Sequence, residues 1–175
     1  MTERMRCVKA FLAIGVGACI LLACSVATGA TSASIFRTSG IAIRYPSRWE
    51  VTNRPLGDIS DPVQRFVLSS YRVPGGRPNG AGDYRPPADG VIAQLLEDSP
   101  PDPAARSDYA PRPAKFRMPR LTEHLEGHSG RWGEIVFRDH GRDFYLFVGV
   151  GLNAPTSRLD ALLRALDTVT VNRAP

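Results

Sequence analysis

Three histidines, His124, His128 and His140, are the side chains of this sequence best suited to bind a metal or to transfer a proton near neutral pH. His124 and His128 are four residues apart, a spacing that places both imidazoles on one face of a helix, as zinc sites require. Gly127 lies between them and Pro119 precedes them, and both residue types disfavour a helix here. We therefore expect exposed loop histidines and predict no metal site and no cofactor, with His124 and His128 as the candidate ligands that remain.

Hydrolysis is the other chemistry that this part of the sequence suggests. The segment GHSGR around Ser129 matches the nucleophile elbow Gly-x-Ser-x-Gly except for its last glycine, and a strand rather than a helix is predicted after it. An exported hydrolase would use His128 or His140 with nearby acidic residues, such as Asp139 and Asp143. Because these groups complete no motif, we assign no catalytic residue. The discriminating question is whether the histidines meet carboxylates in one pocket of the folded protein.

The beginning of the chain has the layout of a secretory signal. Three basic residues before residue 10 form a positively charged start, and residues 10–23 form an uncharged apolar stretch. Small side chains follow over residues 25–34. This order predicts a signal peptide that ends near residue 23, followed by a flexible tether.

Cys24 follows the apolar stretch and is the predicted site of lipidation. Leu21-Leu22-Ala23-Cys24 resembles the bacterial lipobox, in which a cysteine follows a small residue and a leucine stands three positions before the cysteine. Leu22 departs from the motif, where a small or β-branched residue is commoner. The resemblance implies a diacylglyceryl group on the Cys24 thiol, cleavage before it, and stable anchoring by more than one acyl chain. Plain cleavage near Ala30 and an uncut membrane anchor are the alternatives.

Composition limits the chemistry of the remaining residues. Cys7, Cys19 and Cys24 are the three cysteines of the 175-residue chain, so the part after Cys24 has no disulfide, thiol nucleophile or thiolate metal site. The formal net charge is +5, and the basic residues are scattered without a cluster, which argues against a nucleic-acid-binding surface. About 150 residues after the leader are enough for one domain with one core.

Alternation of apolar and polar residues predicts mostly strands. The clearest element is a hairpin, in which residues 132–138 and 143–150 flank a four-residue connection that contains a glycine. Apolar residues on both faces of the second strand predict a central position in a sheet. Residues 91–96 fit either a strand or a short helix. Further strands are predicted over residues 40–45, 49–51, 64–70, 115–118 and 168–171.

One helix and two long loops complete the predicted elements. Leucines within residues 159–166 follow helical spacing and predict one buried stripe. Ser157 stands three residues before an aspartate, which is the spacing of a capping box. Residues 71–90 and 99–113 are rich in residues that favour turns and predict surface loops, which we expect to contact a ligand or partner.

Two parts of the sequence together resemble the PsbP-like superfamily. The first is GIAIRYPSRWEV at residues 40–51, a strand followed by Tyr-Pro-Ser-x-Trp and a second strand, and the second is LLRALDTV at residues 162–169. The resemblance implies an α+β fold, an α/β/α sandwich with a central antiparallel sheet and helices packed on it. It also implies that the Tyr-Pro motif closes a hairpin. Members are mostly binding or assembly factors, and the motif carries no catalytic residues.

The sequence therefore predicts a signal peptide over residues 1–23, a lipid-anchored flexible tether over residues 24–38 and one globular α+β domain over residues 39–173. The protein would be exported and held on the cell membrane, facing outside the cytoplasm, or secreted if it is not lipidated. Its predicted role is non-catalytic binding or assembly, with an unknown protein or small-molecule partner and not with nucleic acid. The exported hydrolase is the alternative function.

Overall fold

The computed structural model describes residues 32–56, 61–73, 85–98, 108–123, 125 and 128–173. These residues belong to one compact unit. The predicted signal peptide, Cys24, His124 and most of both long loops lie outside the described residues.

Nine strands and one helix are present in this part of the chain, and strands account for 45% of the structure against 11% for the helix. The helix α1 spans Thr156–Asp167. The strands are β1 (Ala33–Thr38), β2 (Ile41–Pro46), β3 (Glu50–Thr52), β4 (Val63–Ser69), β5 (Val91–Glu97), β6 (Ala110–Pro111), β7 (Arg131–Asp139), β8 (Arg142–Val150) and β9 (Thr170–Val171).

The strands form two sheets. One has three strands in the order β1-β2-β9, and the other has six in the order β3-β4-β5-β8-β7-β6. Neighbouring strands are antiparallel except for β6 and β7, which are parallel. β8 is an inner strand, as its apolar faces predicted, and the segment that fitted either a strand or a helix is β5.

The predicted hairpin is confirmed as β7 and β8. Asp139 pairs with Arg142, so the connection consists of His140 and Gly141 and is shorter than the four residues expected. Both connecting residues have a positive φ, 51° and 80°. That backbone belongs to the type I′ turn, whose twist matches the twist of two antiparallel strands.

The folded unit begins before the predicted domain boundary. Residues 33–38, which we expected to belong to the tether, form β1 and pair with β2. Ser39 and Gly40 connect the two strands with positive φ values of 45° and 74°. The small side chains of this segment suggested a tether, but Phe36 alternates inward and packs against the core.

The main core lies between the two sheets and α1. The helix contacts β2 of the smaller sheet and β5 of the larger one. The predicted leucine stripe is confirmed, because Leu162 and Leu166 are buried and Leu159 and Leu163 pack partly buried against the core. The same core contains Ile41, Ile43, Phe66, Leu68, Leu95, Phe144, Leu146 and Val148.

The predicted α+β sandwich is wrong. The structure is mostly β, and within the described residues its one helix lies on the inner side of the six-stranded sheet. The other side is covered in part by a second apolar cluster around Trp132, to which Val67 and Ile92 contribute from strands and Tyr71 and Leu125 from connections. Side chains on irregular segments thus bury apolar surface where the resemblance required a helix.

Three local predictions are also wrong. Tyr45 and Trp49 do not close a hairpin, because β2 and β3 belong to different sheets and the turn carries the chain from one to the other. Residues 115–118 form no strand. No described side chain caps α1, because Pro155 occupies the N-cap position and Ser157 already lies inside the helix.

Candidate functional site

The side of the six-stranded sheet that faces away from α1 carries a carboxylate, an amide and two aromatic rings next to one another. Alternate residues of β8 point into the core, so Tyr145 and Phe147 point to this other side. Strand pairing places Gln94 and Glu134 on either side of Phe147, and Val136 opposite Tyr145. These five side chains are called the outer face below.

Aromatic rings form a continuous row across the outer face. The ring centroid of Tyr109 lies 5.6 Å from that of Tyr145, and Tyr145 lies 6.4 Å from Phe147. The row continues through His128, at 4.7 Å from Phe147, to Trp132, at 4.3 Å from His128. Trp132 is buried, whereas the central rings are half-buried. A ligand therefore has access to part of their surface.

His128 is held in place by an amide. Its Nε2 lies 3.3 Å from Oε1 of Gln94, whose Nε2 donates to Oε1 of Gln64 at 3.0 Å. Gln64 in turn donates to the carbonyl of Arg54 at 2.6 Å. Because the oxygen of an amide only accepts hydrogen bonds, Nε2 of His128 carries a proton. In this arrangement the nitrogen is a donor to Gln94.

The stem of the second long loop is fixed beside the outer face. The hydroxyl of Tyr109 donates to the carboxylate of Asp98 and lies 2.6 Å from the hydroxyl of Tyr145. The pKa of Tyr109 is raised above its ordinary value, mainly by burial and next by the hydrogen bonds to Asp98 and Tyr145. The phenol therefore stays protonated at physiological pH and acts as a structural donor.

The first long loop is fixed at both described ends as well. Tyr71 packs in the cluster around Trp132, and the backbone N–H of Val73 donates to Glu50 at 2.9 Å. A Cβ added at Gly90 would collide with the ring of Tyr71, so the two ends of the loop approach each other closely. The stems of both long loops are thus packed on the same side of the sheet as the outer face.

Glu134 is the carboxylate of the outer face, and within the described residues it has no hydrogen-bond or ion-pair partner. It lies directly opposite Phe147 on the neighbouring strand. The Glu134 side chain is exposed overall, yet neighbouring side chains remove part of the water from its ionised form and so raise its pKa. A partly desolvated carboxylate without a partner is a site that attracts a cation or a hydrogen-bond donor.

The acidic and hydroxyl residues considered for hydrolysis have structural partners. His140 stands in the β7–β8 turn, with its Nδ1 2.6 Å from Oδ1 of Asp139. Asp143 is buried and accepts two hydrogen bonds from Arg138, at 2.5 and 2.7 Å. The carbonyl of Ser129 accepts a hydrogen bond from a buried tryptophan indole at 2.8 Å. These contacts hold a turn and two strands together.

His128 and His140 do not come together. His128 contacts Phe147, whereas His140 precedes the start of β8 at Arg142, about 16 Å away along the strand. His124 lies outside the described residues. Among the residues that the structure describes, no group of three or more His, Cys, Asp or Glu side chains is arranged to hold a metal ion. The two described histidines therefore share no pocket.

The sequence analysis did not identify Gln94, Glu134 and Tyr145 as candidate site residues. The alternation in WGEIVFR and DFYLFVGV, combined with the hairpin register, was enough to place the last two on one side of a sheet. Gln94 could not be placed in that way, because its position depends on β5 pairing with β8 across a separation of about fifty residues.

No protein-family model matches this sequence, and no curated protein and no solved structure is significantly similar to it. These comparisons therefore do not test the resemblance to the PsbP-like superfamily. Within the described ranges, no helix combines the length and the apolar character needed to cross a bilayer.

Proposed function

We propose that the protein is exported, held on the membrane by a lipid on Cys24, and binds a ligand on the outer face without transforming it. The observation that supports this proposal most directly is the carboxylate of Glu134, which no described residue pairs with, beside the half-buried ring of Phe147. The two described histidines lie far apart, and Nε2 of His128 already donates to an amide. A hydrolytic role would require a base and a nucleophile in one pocket, whereas a binding role requires only the groups already present on the outer face.

The ligand class that complements the outer face is an amine next to an apolar ring or chain. A cationic amino group would pair with the exposed carboxylate of Glu134, whose ionised form has lost only part of its hydration. The π faces of Phe147 and Tyr145 attract the same positive charge and offer apolar contact. Because the stems of both long loops are packed on this side of the sheet, the loops are positioned to contribute further contacts.

Saturation-transfer NMR with benzylammonium, benzyl alcohol and benzoate tests this ligand class. We expect benzylammonium to bind best, because it alone offers both a positive charge and an aromatic ring. Glu134→Gln should weaken its binding about tenfold, the usual contribution of one charge-assisted contact. Asp160→Asn, which neutralises an exposed acid on α1, is the matched control and should change nothing. Equal binding of benzyl alcohol, or undiminished binding by the Glu134 variant, would contradict the proposal.

The lipid anchor is tested separately by metabolic labelling with an alkyne fatty acid in a bacterial host. We expect label on the full chain and none on Cys24→Ser, because the thiol of that residue is the proposed acceptor. Cys19→Ser is the matched control and should label normally. Labelling that survives Cys24→Ser but is lost in Cys19→Ser would move the site, and an unlabelled wild-type chain would overturn the anchor.

A further inference from the structure

A cleft with a volume of about 550 Å³ lies where residues 85–88 pack against the ends of β7 and β8. Its volume falls within the range of sites that bind small molecules. Arg85 and Arg131 line it together with apolar residues that include Leu152. None of these residues belongs to the outer face, so the cleft is a second surface that the proposed function leaves unexplained.

Close approach of two backbones builds this cleft. A Cβ added at Gly151 would collide with the carbonyl oxygens of Pro87 and Ala88, and the N–H of Gly151 donates to the carbonyl of Gly90 at 2.8 Å. Residues 85–90 are therefore held against the end of β8 by contacts that only glycine allows. The position of this segment relative to the strands is fixed without any ligand.

Glycine also positions one of the two arginines. Gly130 has a φ of +94°, and a Cβ added there would lie 3.2 Å from Cγ of Arg85. The side chain of Arg85 thus lies directly over the backbone that leads into β7. Arg131 is the next residue along the chain, so the two guanidinium groups are brought to one cleft by a local contact.

Among the described residues, the positive charge of the cleft is only partly balanced. Neither Arg85 nor Arg131 has an ion pair or a side-chain hydrogen bond in the described part of the chain. Glu123 is the one acidic residue among the described residues that line the cleft, which leaves a net charge of +1. By contrast, Arg138 and Arg158 are each paired with an aspartate.

Apolar surface adjoins these charges. Leu152 is 59% exposed, one of two large exposed apolar side chains among the described residues, and it lines the cleft beside Val150. An exposed leucine next to unpaired guanidinium groups matches a ligand that has an anionic head and an apolar chain.

We propose that the cleft binds an amphiphilic anion, with its carboxylate or phosphate head between Arg85 and Arg131 and its apolar chain along Leu152. The head replaces the missing counter-charge, and two planar guanidinium groups suit an oxyanion. The chain covers an apolar side chain that is otherwise in water. This site is independent of the amine site on the outer face, and either can fail without the other.

Hexanoate is the probe that tests the proposal, titrated into the full chain in nanodiscs of zwitterionic lipid and followed by backbone amide NMR. We expect saturable shifts at Gly130, Gly151 and Leu152. Hexanol and hexylammonium should produce no such shifts, because they lack the negative charge. Equal shifts with hexanol, shifts confined to other residues, or no saturable shift would overturn the proposal.

Variants separate the charge contribution from a change in folding. Arg131→Gln and Arg85→Gln should each weaken hexanoate binding at least tenfold. Arg164→Gln is the matched control, since it removes an exposed arginine of α1 that does not line the cleft. Arg85 lies outside any strand, so its variant remains informative if the strand variant does not fold. Unchanged affinity in the Arg85 variant would overturn the proposal.

The source of the anion is distinguished by changing the lipid of the nanodisc. If the ligand is an anionic lipid headgroup, phosphatidylglycerol nanodiscs should shift the same amides without added hexanoate, and hexanoate should compete. If the ligand is a free amphiphile, the zwitterionic and anionic nanodiscs should give the same spectrum until hexanoate is added. Absence of the expected shifts under both conditions would leave the cleft without an anionic ligand and refute the inference.

Discussion

Replacing Glu97 by Gln should destabilise the fold strongly, because this carboxylate neutralises two arginines inside the protein. Arg142 donates to it from Nε and Nη2, at 2.6 and 2.5 Å, and Nε of Arg65 donates to the same carboxylate. The exposed fractions of the Arg142 and Glu97 side chains are only 5% and 7%. The three residues belong to β8, β5 and β4, and Arg142 also donates to the carbonyl of Asn172 beyond β9. The cluster therefore links the two sheets.

The expected loss follows from the charges in this cluster. Removing one partner of a buried ion pair costs about 3–5 kcal/mol, because the remaining charge stays buried without compensation. Glutamine keeps the volume and can still accept one hydrogen bond, which places the cost near the lower end, at about 3 kcal/mol. For a domain of this size, that corresponds to a fall in Tm of roughly 10 °C.

Urea denaturation followed by tryptophan fluorescence measures the loss. Asp89→Asn is the matched control, because it breaks the Arg158–Asp89 pair, whose aspartate is 67% exposed, and it should destabilise the protein far less than Glu97→Gln does. Arg65→Gln should cost less than Glu97→Gln, since it leaves Glu97 paired with Arg142. A loss below about 1 kcal/mol for Glu97→Gln, or a larger loss for the Arg65 variant, would refute the reasoning.

Three further predictions follow from burial, close approach and pKa. Leu162→Ala should lower the free energy of unfolding, measured by thermal melts, by about 2–5 kcal/mol, because removing this fully buried side chain leaves a cavity. A smaller loss would mean that the core collapses into the cavity. Gly151→Ala should both destabilise the protein and weaken hexanoate binding, because the added methyl group displaces the segment at Pro87 and Ala88. Unchanged hexanoate binding would contradict this account of the cleft. Burial raises the pKa of Glu134, so its ionisation opposes folding and Glu134→Gln should be the more stable form at neutral pH. That difference should vanish as the pH falls below the pKa of glutamate in the unfolded chain, and a difference that is constant with pH would show that ionisation is not its cause.

The elements that the sequence predicted correctly are those that local patterns determine. The β7–β8 hairpin follows from alternation on both sides of a short polar turn that contains Gly141. The helix follows from leucines at helical spacing, which pack against both sheets. Neither inference depended on where the rest of the chain lies.

The elements that could not be predicted depend on pairings between distant segments. β1 looked like a tether because alanine and serine dominate the residues before it, and its strand character comes from pairing with β2. The turn after Tyr45 has the composition of a hairpin turn, yet it connects two sheets, a choice made by the partners of β2 and β3. The outer face arises in the same way, since Gln94 meets Phe147 only through the pairing of β5 with β8.

The contrast between paired and unpaired charges separates the groups that hold the fold from those available to a ligand. Glu97 and Asp143 are buried and satisfied by arginines, so their contribution is to stability. Within the described part of the chain, Glu134 has no partner and opposes folding when it is ionised, and Arg131 lies unpaired in a cleft. Variants of the two classes should therefore behave in opposite ways. Glu134→Gln and Arg131→Gln should retain the fold and bind their separate ligands about tenfold more weakly, whereas Glu97→Gln should lose stability while the fraction that remains folded still binds both probes.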